Sequence, residues 1–351
     1  MFSKFIAKAK TVSDCQYGMY HYFFEKCPYV MIFKTTNYCW YNCAHCCENA
    51  GSHNQRNFMP LSTVTGIIDQ AVKDKDFSRV LVFTGGEIMS AYKYADKNYV
   101  PNLINYALDS GCAVDIKTNA GWVNFPFADT IFQDIENVVK KHADIDDNND
   151  GTKKLLDFQV SLSLDRYHKN ALDNDFKFIE HFANTDIPGV EFHVHLNSFK
   201  WDRDMFDELM QRLEKSGIKI SELTGYVPGK TVTLYNLNQN VVINYTETVL
   251  FDGGRAKNMK NTHKPVAPEF NFMGDDLESL VAFDSYGNVT LGENFGANIS
   301  TPWCYDDKSP KTLETIKSDL SKNIQQAEQN FLSRHQQLNR CFNLIGKVFT
   351  K

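Results

Sequence analysis

The side chains best suited to chemistry crowd into one stretch, TTNYCWYNCAHCCEN at residues 35–49. Of nine cysteines, Cys39, Cys43, Cys46 and Cys47 fall here, and Cys15, Cys27, Cys112, Cys304 and Cys341 are scattered. An odd total with one tight cluster does not read as a paired disulfide framework. In a reducing compartment such a cluster binds metal or does redox chemistry. Three thiolates separated by three and then two residues, on a loop directly after a strand, suit three irons of a 4Fe–4S cube. The fourth iron is then left open to a substrate or cofactor. Structural zinc wants four ligands from two pairs, and no second Cys/His pair stands at a suitable spacing. Adjacent cysteines rarely both reach one metal, which sets Cys47 aside. Zinc or a redox dithiol is the competing reading.

The elements that must position this loop follow from period and punctuation. YVMIFKTT at 29–36 reads as a strand, and residues 61–73 as a helix with Ser62 near its start as a cap. VLVFT at 80–84 is a buried strand ending at Gly85-Gly86. Then come a helix at 99–110 closed by Gly111, a strand at 113–118, a helix at 127–139 and a polar insert at 144–152. Strands at 158–164 and 190–196 alternate with helices at 176–184 and 205–216, and 218–223 reads as a sixth strand. Six strands alternating with helices imply a parallel sheet covered by helices. That falls short of the eight units of a closed barrel. The expected fold class is therefore α/β, a partial (β/α)6 TIM-like barrel with a C-terminal α+β extension. Beyond Gly225 the pattern turns β-rich at 231–244, passes a Gly253-Gly254-Arg255 loop and forms a hairpin at 281–291. A long polar helix at 313–338 follows. The divisions are an N-terminal extension at 1–28, the barrel at 29–228 and the extension at 229–351.

The cysteine triplet combined with Gly85-Gly86-Glu87 at the end of the second strand resembles the radical S-adenosylmethionine (SAM) superfamily. Its members carry C-x3-C-x2-C after the first strand of a partial barrel and a Gly-Gly-Glu turn after the second. The resemblance spans residues 29–228. It implies that Cys39, Cys43 and Cys46 ligate a 4Fe–4S cluster, and that His45, just before the third cysteine, faces the adenine of SAM. It also implies that Gly85, Gly86 and Glu87 receive the methionyl ammonium, the glycines by close backbone approach and the carboxylate by charge. Asn119 and Ser163, at strand ends, would touch the SAM ribose or carboxylate; equally they read as polar residues capping the next helix. Asp165 and His168 would meet SAM or substrate. His193 and His195 share one face of a strand, either as site residues or as satisfied wall histidines. The implied activity is reductive cleavage of SAM to a 5′-deoxyadenosyl radical that abstracts hydrogen from a substrate, fed by an external one-electron donor of flavodoxin or ferredoxin type.

Gly254-Arg255-Ala256 and the later DSYGNV resemble the peptide-modifying SPASM/twitch branch of that superfamily. No auxiliary-cluster cysteines follow the hairpin, and Cys304 and Cys341 alone cannot hold a second cube, so one cluster is expected. Cys304 reads foremost as a buried inert thiol. The implied substrate is a ribosomally made peptide, altered by crosslinking, epimerisation or related chemistry. The alternatives are a small metabolite, a glycyl-radical activase, or a non-enzymatic iron–sulfur electron carrier. The chain has 351 residues, with 37 basic and 43 acidic side chains giving a net charge of −6. Such a balance argues against a nucleic-acid or anionic-membrane binder. The absence of a long apolar run or a secretory signal points to a cytoplasmic protein. Asp146, Asn148, Asp150 and Asp157 have the spacing of a calcium loop. The terminal Asp and the strand that follows favour a solvated acidic insert.

Overall fold

In the computed structural model, apolar and polar side chains alternate along the central strands. One face of the sheet therefore packs on helices, and the other is largely polar, with Ile32 and Val82 among its apolar exceptions. The structure describes residues 29–74, 77–143, 154–185, 187, 190–223, 232–248, 255–259, 280–285, 287–291, 299–302, 311–316, 318–319 and 322. The strands are β1 (Tyr29–Thr36), β2 (Phe77–Gly85), β3 (Ala113–Thr118), β4 (Lys154–Ser163), β5 (Val190–Phe199), β6 (Ile220–Leu223), β7 (Val232–Leu237), β8 (Val241–Thr248), β9 (Leu280–Asp284), β10 (Asn288–Leu291) and β11 (Ile299–Pro302). They form one 11-stranded sheet in the order β11-β10-β9-β1-β2-β3-β4-β5-β8-β7-β6. From β9 to β8 every pairing is parallel, and the strands outside them pair antiparallel. The edge strands β11 and β6 do not meet, so the barrel is open. Helices α1 (Leu61–Ala71), α2 (Tyr99–Asp109), α3 (Ala128–Ala143), α4 (Ala171–Asn184) and α5 (Arg203–Lys215) fill the crossovers.

Two expectations need correction. The sixth parallel strand is not 218–223 but β8, which pairs with β5 from Phe192↔Val241 to Phe199↔Thr248. β6 is an antiparallel edge strand. Burial explains the exchange: Val241, Ile243 and Tyr245 are fully buried, and Tyr245 packs on Phe206 of α5 at 3.9 Å between ring centroids, whereas Ser221 and Glu222 are exposed. Two strands of the parallel set, β8 and β9, thus lie beyond residue 228. Ser62, expected as a cap, sits inside the first turn of α1; Pro60 holds the N-cap position with no side-chain cap. The expected hairpin forms as β9–β10, where the Asn288 amide donates to Asp284 Oδ1 at 2.8 Å. β9 additionally pairs parallel with β1. Residues 313–316 are helical, with Leu313 and Ile316 buried in the main core. Residues 318, 319 and 322 are helical as well; the rest of the expected C-terminal helix lies outside the described residues, as do the extension at 1–28, the insert at 144–152, Cys304 and Cys341.

On the helix-facing side, Phe33, Phe83, Ile116, Val160, Val194 and Ile243 are fully buried. Phe33 stacks between Phe83 and Phe283 at 5.5 and 5.2 Å, joining β2, β1 and β9. Opposite, Lys117, Ser161, His195 and Asn244 fall in one register row across β3, β4, β5 and β8. Truncating the central ring of the stack, Phe33→Ala, is expected to destabilise the fold by about 3–5 kcal/mol. Chemical denaturation measures this, and a loss below about 1 kcal/mol would show that the three strands do not depend on it.

Candidate active site

β1 leaves the sheet at Thr36 and delivers the cysteine loop over the strand ends, where side chains in barrels face the site. The loop closes on itself: Cys39 N donates to Gly51 O and Gly51 N to Asn37 O, both at 3.3 Å. Within it, Cys46 N donates to Cys43 O (3.2 Å) and Asn49 N to Cys46 O (3.4 Å). Asn54 Nδ2 reaches the carbonyls of Asn37 and Asn49, both at 2.9 Å. Cys39 is buried, Cys43 and Cys46 are half-buried, and Cys47 is exposed. Cys39, Cys43 and Cys46 line one cavity of about 300 Å³, shared with Gly85, Gly86, Asn119, Ser163, His168 and Arg255. The amide of Tyr41 and Nδ2 of Asn119 both point at Cys39 Sγ, at 3.4 and 3.5 Å.

Burial, reinforced by the Glu87 charge, pushes the Cys39 thiol up to about 12. Burial and then Asp165 push Cys43 up to about 11. Left to themselves these two sulfurs hold their protons at neutral pH, and only a strong positive charge in the cavity would release them.

The Gly85-Gly86 turn ends β2 beneath this loop. Gly86 N donates to Thr36 O at 2.6 Å, and Glu87 N to Tyr38 O at 2.8 Å. A side chain at Gly86 would place its Cβ 2.0 Å from Tyr38 O, and Gly85 has φ +120° with Thr36 O 2.3 Å from its Cβ position. Glu87 does not present its carboxylate to the cavity. It is fully buried, and its oxygens accept from Met89 N (3.1 Å), Thr118 Oγ1 (2.8 Å) and Asn119 N (3.0 Å). Burial nonetheless pushes its acid up to about 7 against those three donors. Thr118 Oγ1 in turn accepts from Ala120 N and Trp122 Nε1, both at 3.1 Å. Glu87 therefore ties the ends of β2 and β3 together, and the backbone of the two glycines faces the cavity.

Across the cavity His45 stacks on Tyr167 at 5.0 Å and meets His168 and Phe199 edge-on at 4.6 and 5.8 Å. Its Nε2 lies 3.6 Å from Asp165 Oδ2, and its buried Nδ1 has no hydrogen-bond partner among the described residues. Burial lowers His45 to about 4, so the ring is neutral at pH 7. Asp165 fixes its own loop: Oδ1 accepts from the amides of Tyr167 (2.9 Å) and His168 (3.0 Å), and Oδ2 from His168 Nδ1 (2.7 Å). Its burial opposes ionisation, but the His168 bond and charge hold the carboxyl below its usual range. His193 and His195 do not line the cavity at the cysteines. Burial lowers both to about 4, and His195 Nε2 pairs with Thr246 Oγ1 at 2.9 Å. Several lining residues were not assigned from sequence, Tyr41, Glu48, Lys117 and Arg255 among them, and Cys47, set aside there, lines the cavity as well. Only Arg255 carried a signal, in Gly254-Arg255-Ala256.

No protein-family model matches the chain, and no curated protein matches it. Among solved structures it is similar to Streptococcus suis SuiB, with 14% identity over 86% of this chain and 67% of that one and a TM-score of 0.44. It is similar to anSMEcpe with bound AdoMet, with 10% identity over 84% and 77% and a TM-score of 0.44. It is also similar to BtrN in complex with AdoMet and 2-DOIA, with 14% identity over 83% and 80% and a TM-score of 0.37.

The tight approach at Gly86 is directly testable. Gly86→Ala must push Tyr38 and the adjoining Cys39 away from β2, and is expected to lower stability by about 1–3 kcal/mol. Thermal unfolding measures this. An unchanged Tm would mean that the turn and the cysteine loop are not in contact.

Proposed function

We propose that this chain is a radical SAM enzyme. In this reading Cys39, Cys43 and Cys46 hold a 4Fe–4S cluster, and SAM occupies the cavity they share with Gly85, Gly86, Asn119 and Ser163. The observation that carries the reading is the convergence of the three thiols and the Gly-Gly turn on one cavity from separate strand ends. The donor set fits the group: three soft sulfur ligands, two of them protonated unless a cation discharges them, with a buried, unpartnered His45 Nδ1 alongside. Held by Cys39, Cys43 and Cys46, such a cluster would supply one-electron chemistry for the reductive cleavage of SAM.

The chain's own residues hold and orient. Cys39 is set from the barrel side by Asn119, and the neutral His45 ring, stacked on Tyr167, offers a flat surface and an open nitrogen to the adenine. The glycine backbone admits the methionyl group closely. Glu87 acts as a positioning residue that fixes Thr118 and the Asn119 amide, a change from the direct ammonium contact that the motif implied. Asp165 orients His168 at the cavity wall. The polar row of Lys117, Ser161, His195 and Asn244 gives the barrel interior hydrogen-bonding groups for a substrate.

The substrate in this proposal is a ribosomally made peptide and the product a crosslinked, epimerised or similarly altered residue, with a cytoplasmic one-electron donor. The Gly254-Arg255-Ala256 element and the β9–β10 hairpin support that branch; SuiB binds the precursor peptide SuiA, and anSMEcpe binds the Cp18Cys peptide. Among the described residues no helix is long and apolar enough to cross a membrane.

Anaerobic reconstitution should give about four irons per chain, and reduction with SAM should release 5′-deoxyadenosine. Zinc in place of iron, or iron without SAM cleavage, would overturn the proposal. Alanine at Cys39, Cys43 or Cys46 is expected to abolish both the cluster and turnover; an intact cluster in any one variant would remove that residue from the ligand set. Glu87→Ala leaves iron content intact but strands three donors, so SAM affinity should fall by about tenfold or more as the β2 and β3 ends loosen. Isothermal titration checks it, and wild-type affinity would refute the positioning role.

A further inference from the structure

Cys39 is anchored by its neighbours on the barrel, but the half of the loop that carries Cys43 and Cys46 is gripped from elsewhere in the chain. Arg255, on the described segment 255–259, directs one hydrogen bond from each of its four nitrogens to that half-loop. Its amide donates to Cys46 O at 2.9 Å. From the guanidinium, Nε donates to Cys43 O (2.9 Å), Nη2 to Ala50 O (2.6 Å) and Nη1 to Asn49 Oδ1 (3.2 Å). Two of the four acceptors are the carbonyls of Cys43 and Cys46, iron ligands in the proposed function. A third, Asn49, has φ +53°, the left-handed region that asparagine adopts more readily than most residues. Ala256, the next residue, is fully buried against Phe199, with Tyr167 and Met259 packed around them, so the arginine's backbone is itself held in place.

We propose that Arg255 is a positioning residue for the cluster: it locks the Cys43–Ala50 half-loop in its ligating shape and sets a permanent positive charge beside the thiolates. The inference rests on the proposed cluster, yet part of it concerns the metal-free chain. Charge and fork are separable functions. A cation next to an iron–sulfur site favours the reduced, more negative state. The rigid planar array of donors, which lysine lacks, is what can satisfy several carbonyls at once. Removing an outer-shell partner of this kind typically weakens metal retention by about 10–100-fold.

The test compares wild type, Arg255→Lys and Arg255→Met by three measurements. Amide hydrogen exchange across residues 43–51 in the metal-free protein reads the lock alone. Iron retention against a chelator and the cluster reduction potential read its two consequences. Arg255→Met is expected to exchange faster across 43–51, to lose iron about 10–100-fold more readily and to have a more negative potential. Arg255→Lys should restore the potential while leaving exchange and iron loss intermediate. Wild-type exchange, iron retention and potential in Arg255→Met would overturn the proposal. So would full recovery of exchange and iron retention in Arg255→Lys, since a bare charge would then suffice. If circular dichroism shows Arg255→Met unfolded, the lysine variant decides: faster exchange with an unchanged potential supports the lock, and wild-type exchange sinks it. Wild-type protein that assembles no four-iron cluster would instead defeat the proposed function, with the exchange comparison still judging the grip on the loop.

Discussion

Everything at the mouth of this barrel hangs on a close backbone crossing between the end of β2 and the exit of β1. Gly86 and Glu87 donate their amides to the carbonyls of Thr36 and Tyr38, and the two chains lie so near that no side chain fits between them. Cys39 follows Tyr38 directly, so the height of the first sulfur above the sheet is fixed by main-chain hydrogen bonds rather than by a rotamer. A backbone anchor of this type has few soft torsions and holds its position at low entropic cost. The Glu87 carboxylate extends the same tie sideways to Thr118 and Asn119, whose side-chain amide then meets Cys39. One ladder of bonds thus runs from β1 through β2 to β3 and back to the sulfur.

The sheet divides its labour by face. Phenylalanine, isoleucine and valine on the outer side fuse with the helices into a single large core. The inner side carries charged and polar groups in register, including the Asp115–Ser161 hydrogen bond at 2.7 Å. Neutral, buried histidines belong to this inner wall. Lowered affinity for protons keeps them from charging in a space that cannot solvate charge well, so they serve as hydrogen-bonding wall rather than as titrating groups near pH 7.

Much of the architecture was legible from periodicity and punctuation. Strand β3 spans the expected residues, and Gly111 and Gly217 close α2 and α5 with positive φ, as glycine at a helix end should. What misled was pairing. Ile220–Leu223 has the local look of a strand and sits where a sixth β/α unit would begin, but nothing local states which neighbour it joins. The true sixth position goes to β8, whose Asn244, Thr246 and Glu247 look unlike a buried parallel strand until Tyr245 is seen packed on Phe206. The cysteines and the Gly-Gly turn could be singled out because chemistry dictates their type and spacing, and the structure brings them to one cavity. Glu87 was found too, but its orientation was not, since burial and competing donors belong to the tertiary structure. Arg255 stayed without a role because its acceptors lie more than two hundred positions away.

The parallel pairing of β9 with β1, from Val30↔Leu280 to Lys34↔Asp284, bears on how the chain reaches this state. β1 is among the first described segments to be made, yet one of its edges has no partner until residues 280–284 exist. Closing so wide a span sets a high contact order and a slow step in folding. During synthesis the strand that carries the cysteine loop must wait with an open edge, a site for mispairing or for a chaperone. The cysteine loop would then reach its final setting only once residues 280–284 have been made.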